Sequence, residues 1–209
     1  MEVFMKKYLP ILFILPIIFN ACQGGDDKKM EEKKEPSLVG KNILMVIAPQ
    51  NFRDEEFEEP HSLFLKEGAN VVVASTDTNE AQGMFGMKVK PDKCIEDVNP
   101  LDFDAIVLIG GSGSTILWDN EKLHEYVKTA YENKKVIGAI CLSPVTLVKA
   151  GILKGKSATC YETPEVVQIF KKNDVVLTGK SIEVTEKIIT ANGPPAAKDY
   201  AEKIVELLK

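Results

Sequence analysis

Four runs of apolar residues, each too continuous to leave one face in water, constrain the fold of this 209-residue chain most strongly. They lie at residues 41–48, 71–74, 104–109 and 136–140. Unbroken Val, Ile and Leu runs are typical of strands buried on both faces, as in parallel sheets. Stretches with helical periodicity lie between or after them, at residues 54–66, 120–133 and 196–208. This alternation predicts an α/β fold, a three-layer sandwich with a mostly parallel sheet.

Weaker signals complete the predicted order of elements. Residues 83–89 predict a hairpin, and residues 175–178 and 188–191 predict two further strands. In sheets of this kind, ligands bind at the carboxyl ends of the strands. Three strand ends lead directly into chemically interesting residues: Pro49-Gln50 before an acidic cluster, Gly110-Gly111, and Cys141.

Cys141 is the most specific local motif, because it stands between the apolar run at residues 136–140 and a helix predicted to begin at Pro144. The small residues Ala139 and Ser143, two positions to either side, allow a sharp turn. This pattern is typical of a nucleophile elbow, with Cys in place of Ser. The free N–H groups at the start of the following helix would favour the thiolate. A buried cysteine that packs as a small apolar residue is the alternative interpretation.

The first 37 residues have the composition of an export signal followed by a tether. A basic pair precedes an apolar run at residues 8–19, which is too short to span a membrane comfortably. The residues before Cys22 resemble a bacterial lipobox, with Phe19 and Asn20 departing from the usual pattern. We therefore expect a protein exported to the bacterial cell envelope and attached to the membrane by a lipid anchor on Cys22. Simple cleavage of the signal and an uncleaved anchor are the alternatives.

These boundaries divide the chain into a signal peptide at residues 1–21, a flexible tether at residues 22–37 and a folded domain at residues 38–209. The net charge of −5 and the absence of aromatic-flanked basic clusters exclude a nucleic-acid partner. Two histidines are too few for a His-rich metal site, and the four cysteines form no C-x-x-C pair. We expect neither a metal ion nor a cofactor.

Five segments occur in an order typical of one protein family. They are KNILMVIA from Lys41, Asp54-Glu55-Glu56 with Pro60, FDAIVLIGG, AICLSPVTLVKAGILKGKSATCY and IITANGPPAAKDYA. Together they resemble the DJ-1/PfpI superfamily, also called ThiJ/PfpI, over residues 41–208. The resemblance implies a flavodoxin-like fold related to class I glutamine amidotransferases. It also implies a small-molecule substrate and assembly into a homodimer or larger homo-oligomer.

The same resemblance implies roles for five residues. Cys141 matches the nucleophile, and Glu56 matches a buried carboxyl that contacts it. Gly110 and Gly111 match a turn whose N–H groups face an oxyanion, with the Leu142 N–H as a further donor. A protonated Glu56 would donate a hydrogen bond to the thiolate and lower the pKa of Cys141, and the two groups would titrate as a pair. From charge pattern alone, Glu56 is one of several carboxylates on a solvated helix face.

One departure from the family pattern disfavours a peptidase. Protease-like members carry His directly after the nucleophile, where this chain has Leu142. His61 is a candidate accessory residue near Glu56, whereas His124 is expected to be exposed on its helix. The pattern resembles members without that His, for which glyoxalase or deglycase chemistry, redox sensing and chaperone activity have been proposed.

Cys160 is a second candidate accessory residue. It is either a buried structural cysteine or a thiol that resolves oxidised Cys141 into a disulfide.

Three functions of the protein stay open. An enzyme acting on small carbonyl or amide substrates predicts a low pKa at Cys141, a redox sensor or chaperone predicts oxidation without turnover, and a binding module predicts a pKa of about 8.5.

Overall fold

Each apolar run of the sequence forms a strand in the computed structural model, which describes residues 35–209. The predicted signal peptide at residues 1–21, Cys22 and most of the predicted tether lie outside the described residues. Within residues 35–209, no helix is both long enough and apolar enough to cross a membrane.

The described part of the chain contains twelve strands and five α-helices. The strands are β1 (Asn42–Val46), β2 (Gln50–Phe52), β3 (Asn70–Ser75), β4 (Ala81–Gly83), β5 (Lys88–Val89), β6 (Lys93–Cys94), β7 (Ala105–Leu108), β8 (Val136–Ile140), β9 (Ser157–Ala158), β10 (Val176–Leu177), β11 (Ile182–Thr185) and β12 (Ile188–Ala191). The helices are α1 (Asp54–Lys66), α2 (Glu121–Glu132), α3 (Pro144–Lys149), α4 (Pro164–Lys172) and α5 (Ala197–Leu208).

Seven strands form the main sheet, in the order β11–β12–β8–β7–β1–β3–β6. Only the β11–β12 pair is antiparallel. The chain passes from β1 to β3 on one side and later to β7 on the other, so the strand order reverses at β1. Such a switch point leaves a crevice beyond the carboxyl ends of the strands. The ends of β1, β7 and β8, where the predicted site residues lie, converge at this crevice.

Helices cover both faces of the sheet. Alternate residues of β1 divide between the faces, with Ile43 and Met45 on the side of α1 and α5, and Leu44 and Val46 on the side of α2, α3 and α4. The two apolar cores are therefore separated by the sheet itself. This confirms the predicted three-layer sandwich with a mostly parallel sheet.

The structure differs from the predicted elements in short strands and in one helix. The strand expected at residues 175–178 shrinks to β10, which pairs with β9 outside the main sheet. The helix α4 was not predicted, although Thr163 caps it and Pro164 begins it, a recognisable start signal. The edge strand β6, which contains Cys94, was also not predicted. Two-residue strands leave too little pattern for periodicity to reveal them.

Candidate active site

Cys141 occupies a sharp turn between the end of β8 and the start of α3. Its φ of 61° lies in the left-handed region, where a residue with a side chain is strained by about 1–3 kcal/mol. Its side chain is 8% exposed. The strand, the strained cysteine and the helix thus form the elbow expected from the local sequence.

Hydrogen bonds to the backbone hold this elbow in place. The Cys141 carbonyl accepts hydrogen bonds from the Tyr161 N–H at 2.8 Å and from the Cys160 thiol at 2.9 Å. The next carbonyl, of Leu142, accepts from the indole Nε1 of Trp118 at 2.9 Å. Trp118 is 7% exposed. A strained turn persists only when its surroundings determine it in this way.

Glu56, on α1, faces Cys141 from inside the domain. It is 0% exposed, whereas its neighbours Glu58 and Glu59 are exposed. Neither carboxyl oxygen has a hydrogen bond of regular geometry among the described residues, yet the Cys141 thiol and the Gly110 N–H are close enough to lower the pKa of Glu56. A Cβ at Gly110 would stand 2.5 Å from both Cys141 Cβ and Glu56 Oε2. Only glycine therefore leaves these two side chains in contact.

The N–H groups of the two glycines after β7 interact with different side chains. The Gly110 N–H interacts with the Glu56 carboxyl, whereas the N–H groups of Gly111 and Leu142 interact with the Cys141 thiol. The chain turns at Gly111, whose φ is 96°, so successive N–H groups point in different directions. The Gly110 N–H, expected to face an oxyanion, thus faces the Glu56 carboxyl instead. The N–H groups of Gly111 and Leu142 remain the predicted oxyanion donors.

Burial changes the proton equilibria of both side chains. Desolvation raises the pKa of Glu56 from 4.5 to about 8. Burial and, next, the charge of Glu56 raise the pKa of the Cys141 thiol to about 12, against the lowering effect of the Gly111 and Leu142 N–H groups. The low pKa expected of the thiol is thus absent, because burial, the largest cause, opposes the thiolate whatever the charge of Glu56. Below about pH 8, Glu56 keeps its proton and its charge no longer opposes the thiolate.

A cavity of about 240 Å³ opens above the Cys141 thiol. It is large enough for a small molecule, and most of its wall is apolar. Its lining residues are Arg53, Met84, Gly111, Ser112, Cys141, Leu142, Tyr161 and Pro194.

Neither histidine is among the described residues that line this cavity. His61 stacks on the Phe57 ring, with centroids 4.9 Å apart, and lines a separate cavity together with Asp92. Burial lowers the pKa of His61. His124 was expected to be exposed but is half-buried, with Nε2 2.8 Å from the Trp118 carbonyl oxygen. The structure therefore brings neither imidazole to the thiol.

Cys160 lies behind the elbow and is 1% exposed. Its thiol donates to the Cys141 carbonyl, and burial raises the pKa of Cys160. This arrangement supports the structural interpretation of Cys160, and both cysteines are free thiols. Among residues 35–209, no cluster of three or more His, Cys, Asp or Glu side chains is arranged to hold a metal ion.

Sequence reasoning missed Arg53, which lines the cavity, and the roles of its neighbours Phe85 and Asp54. The Arg53 guanidinium lies over the Phe85 ring, 4.5 Å from its centroid. Phe85 reaches this position because the Asp54 carboxylate accepts hydrogen bonds from the N–H groups of Phe85 and Met87, at 2.9 Å and 2.8 Å. These bonds attach the β4–β5 hairpin to the start of α1. In the sequence, Asp54 is only one of a run of acidic residues.

Comparisons with known proteins agree with this fold. A model of the DJ-1/PfpI family matches residues 41–207. An uncharacterised protein of Methanocaldococcus jannaschii is 42% identical over 206 residues, which cover 98% of both chains. A deglycase of Pyrococcus abyssi is 32% identical over 171 residues, covering 79% of this chain and 99% of the relative. A glutathione-independent glyoxalase of Caenorhabditis elegans is 28% identical over 169 residues, covering 81% and 89%.

A solved structure gives the same result. The ThiJ/PfpI domain protein from Brachyspira murdochii superposes with a TM-score of 0.76 at 33% identity, covering 81% of this chain and 98% of that one. The fold is thus the flavodoxin-like α/β sandwich that the resemblance implied. With its family match over nearly all of the described residues, this chain belongs to the DJ-1/PfpI family.

Proposed function

We propose that this protein is a cysteine-dependent enzyme that acts on small carbonyl or amide compounds, with glyoxalase- or deglycase-like chemistry as its main activity. The observation that carries the proposal is the strained Cys141 elbow, which places the thiol beneath a small cavity with the buried Glu56 behind it. Backbone strain and a buried titratable pair both cost stability, and such features concentrate at catalytic sites. Relatives described as a deglycase and a glyoxalase support this chemistry.

The proposed first step is addition of Cys141 to an aldehyde carbonyl. The Cys141 sulfur forms a bond to the carbonyl carbon, and the π electron pair moves to the oxygen. The N–H groups of Gly111 and Leu142 stabilise the negative charge that develops there. The oxygen then takes the proton that Cys141 and Glu56 share, which gives a hemithioacetal. The thiol and the aldehyde therefore give the hemithioacetal with no further reactant.

A peptidase is a weaker match to the site. Leu142 occupies the position after the nucleophile, and neither His61 nor His124 lines the described cavity. A Cys–His pair would need an imidazole within hydrogen-bond reach of the thiol.

Turnover of a simple α-oxoaldehyde tests the proposal. The purified full chain is incubated with methylglyoxal, and loss of the carbonyl compound and appearance of hydroxyacid are followed over time. Cys141→Ala should abolish turnover because it removes the nucleophile. Cys94→Ala is the matched control, because Cys94 lies on the edge strand β6 and should leave the rate unchanged.

Two results would overturn the proposal. Equal turnover by the wild type and Cys141→Ala would remove Cys141 from the chemistry. Absence of turnover on α-oxoaldehydes and small amides, combined with rapid oxidation of Cys141 to sulfinic acid by peroxide, would favour the redox-sensing alternative instead.

We further propose that the protein is exported to the cell envelope, lipid-anchored at Cys22, and self-associated into homo-oligomers. The lipobox-like sequence before Cys22 supports the anchor. Exposed apolar side chains on the β4–β5 hairpin, Phe85 at 66% and Met84 at 40%, support a contact between copies. Light scattering should then give a mass well above the 23.1 kDa of one chain.

A further inference from the structure

Arg53 is the only charged side chain among the described residues that line the cavity above Cys141. The rest of that wall is apolar or carries neutral polar groups. A charge in such a setting interacts more strongly with a ligand than one on an open surface, because fewer water molecules screen it. The positive charge of Arg53 therefore influences which ligands bind in the cavity.

The geometry of the guanidinium leaves part of it available. Its Nε and Nη2 donate to the two carboxylate oxygens of Glu55, at 2.8 Å and 3.2 Å, and the Phe85 ring covers one face. A guanidinium has about five N–H donors in a fixed fork, so one edge is held while the remaining donors are free of partners among residues 35–209. Held on one edge and one face, the group is oriented before any ligand arrives.

We propose that Arg53 binds a carboxylate on the substrate of Cys141, so that the enzyme prefers small carbonyl compounds that carry a carboxylate close to the carbonyl group. Arginine suits this role because its planar fork matches a carboxylate with two parallel hydrogen bonds. This inference rests on the function proposed above and narrows its substrate class.

The surrounding charges agree with an anionic ligand. The positive charge of Arg53 reaches the bottom of the site, where it lowers the pKa of Glu56. Glu56 itself keeps its proton below about pH 8 and then offers no negative charge to repel the ligand. Lys198 adds a second cation in an adjoining cavity that shares Arg53 and Tyr161, although Glu55 and Glu59 also line it.

Alkylation by a matched pair of reagents tests this inference without any need for turnover. Iodoacetate and iodoacetamide have nearly the same shape, but only iodoacetate carries a carboxylate. The full chain is treated with each near neutral pH, and mass spectrometry gives the rate at each cysteine. The ratio of the iodoacetate rate to the iodoacetamide rate then reports anion binding next to that thiol, with Cys94 as the internal reference.

The ratio at Cys141 should exceed that at Cys94 by about tenfold, the effect of one charge-assisted hydrogen bond. Arg53→Met should remove this preference, and Arg53→Lys should keep part of it. Glu55→Gln should raise the ratio, because it releases the guanidinium, and this variant covers the case in which Arg53→Met does not fold. Lys128→Met, at an exposed position on α2 that does not line the cavity, is the matched control for general charge and should change the ratio little.

Two outcomes separate this inference from the proposed function. An equal ratio in the wild type and Arg53→Met, or a fall in Glu55→Gln, overturns the carboxylate preference alone. A Cys141 that reacts with neither reagent overturns the proposed function, and this inference falls with it.

Discussion

At the scale of single residues, Glu56 links the stability of the fold to pH. Its pKa rises from 4.5 to about 8 on folding, so between these values the folded protein holds a proton that the unfolded chain has released. The contribution of Glu56 to stability is complete below pH 4.5 and is lost as the pH rises to about 8. The loss amounts to roughly 1.4 kcal/mol per pH unit.

Glu56→Gln should remove this dependence, because the amide does not titrate. As the pH rises from about 5 to about 7.5, the free energy of unfolding of the wild type should fall by about 3 kcal/mol relative to that of the variant. Urea denaturation at several pH values measures it. Glu58→Gln, an exposed position on the same helix, should follow the wild type. Parallel curves for Glu56→Gln and the wild type would mean that Glu56 is ionised in the folded protein at neutral pH.

At the scale of elements, the β4–β5 hairpin depends on one carboxylate. The buried Asp54 accepts hydrogen bonds from two N–H groups of the hairpin, and these bonds place Phe85 beside Arg53. Asp54→Ala should lower the free energy of unfolding by about 2 kcal/mol, because both bonds are charge-assisted. Hydrogen exchange should also accelerate at Phe85 and Met87. Glu58→Ala is the control, and unchanged exchange in Asp54→Ala would show that the hairpin is held by other contacts.

The elements also show how far the sequence predicts the site. The long strands and the helices α1, α2 and α5 followed from periodicity, and the elbow at Cys141 followed from a strand, small flanking residues and Pro144. Glu56 was indicated by family resemblance, because its own neighbourhood is a run of acidic residues. The Gly110 N–H faces Glu56 and the Gly111 N–H faces Cys141, and this difference depends on backbone angles that no residue pattern encodes. Arg53 acquires its role through Phe85, which arrives from a distant segment of the chain.

At the scale of the whole molecule, the proposed lipid anchor lies in the amino-terminal segment, outside the described residues. If Cys22 is lipidated, the full chain expressed in bacteria should partition into the detergent phase, and Cys22→Ser should move to the aqueous phase. Two-phase extraction followed by intact-mass measurement checks both the location and the added acyl mass. Cys94→Ser should behave like the wild type. Aqueous partitioning of the wild type at the mass of an unmodified chain would exclude the anchor.

The central claim is that Cys141 and Glu56 form one proton-sharing nucleophilic site, and the pH profile of Cys141 alkylation tests it most directly. Iodoacetamide rates at each cysteine would be measured by mass spectrometry on the wild type, Glu56→Gln and Glu56→Leu. In the wild type we expect a rise through about pH 8 to a plateau, because the pair loses its first proton there and the remaining proton, held to about pH 12, is shared between Glu56 and the thiol. A fixed fraction of Cys141 is then thiolate. Both variants should show one step. The step should come at a lower pH in Glu56→Gln than in Glu56→Leu, because the glutamine amide donates a hydrogen bond to the thiolate. A single step in the wild type that coincides with both variants would contradict the claim.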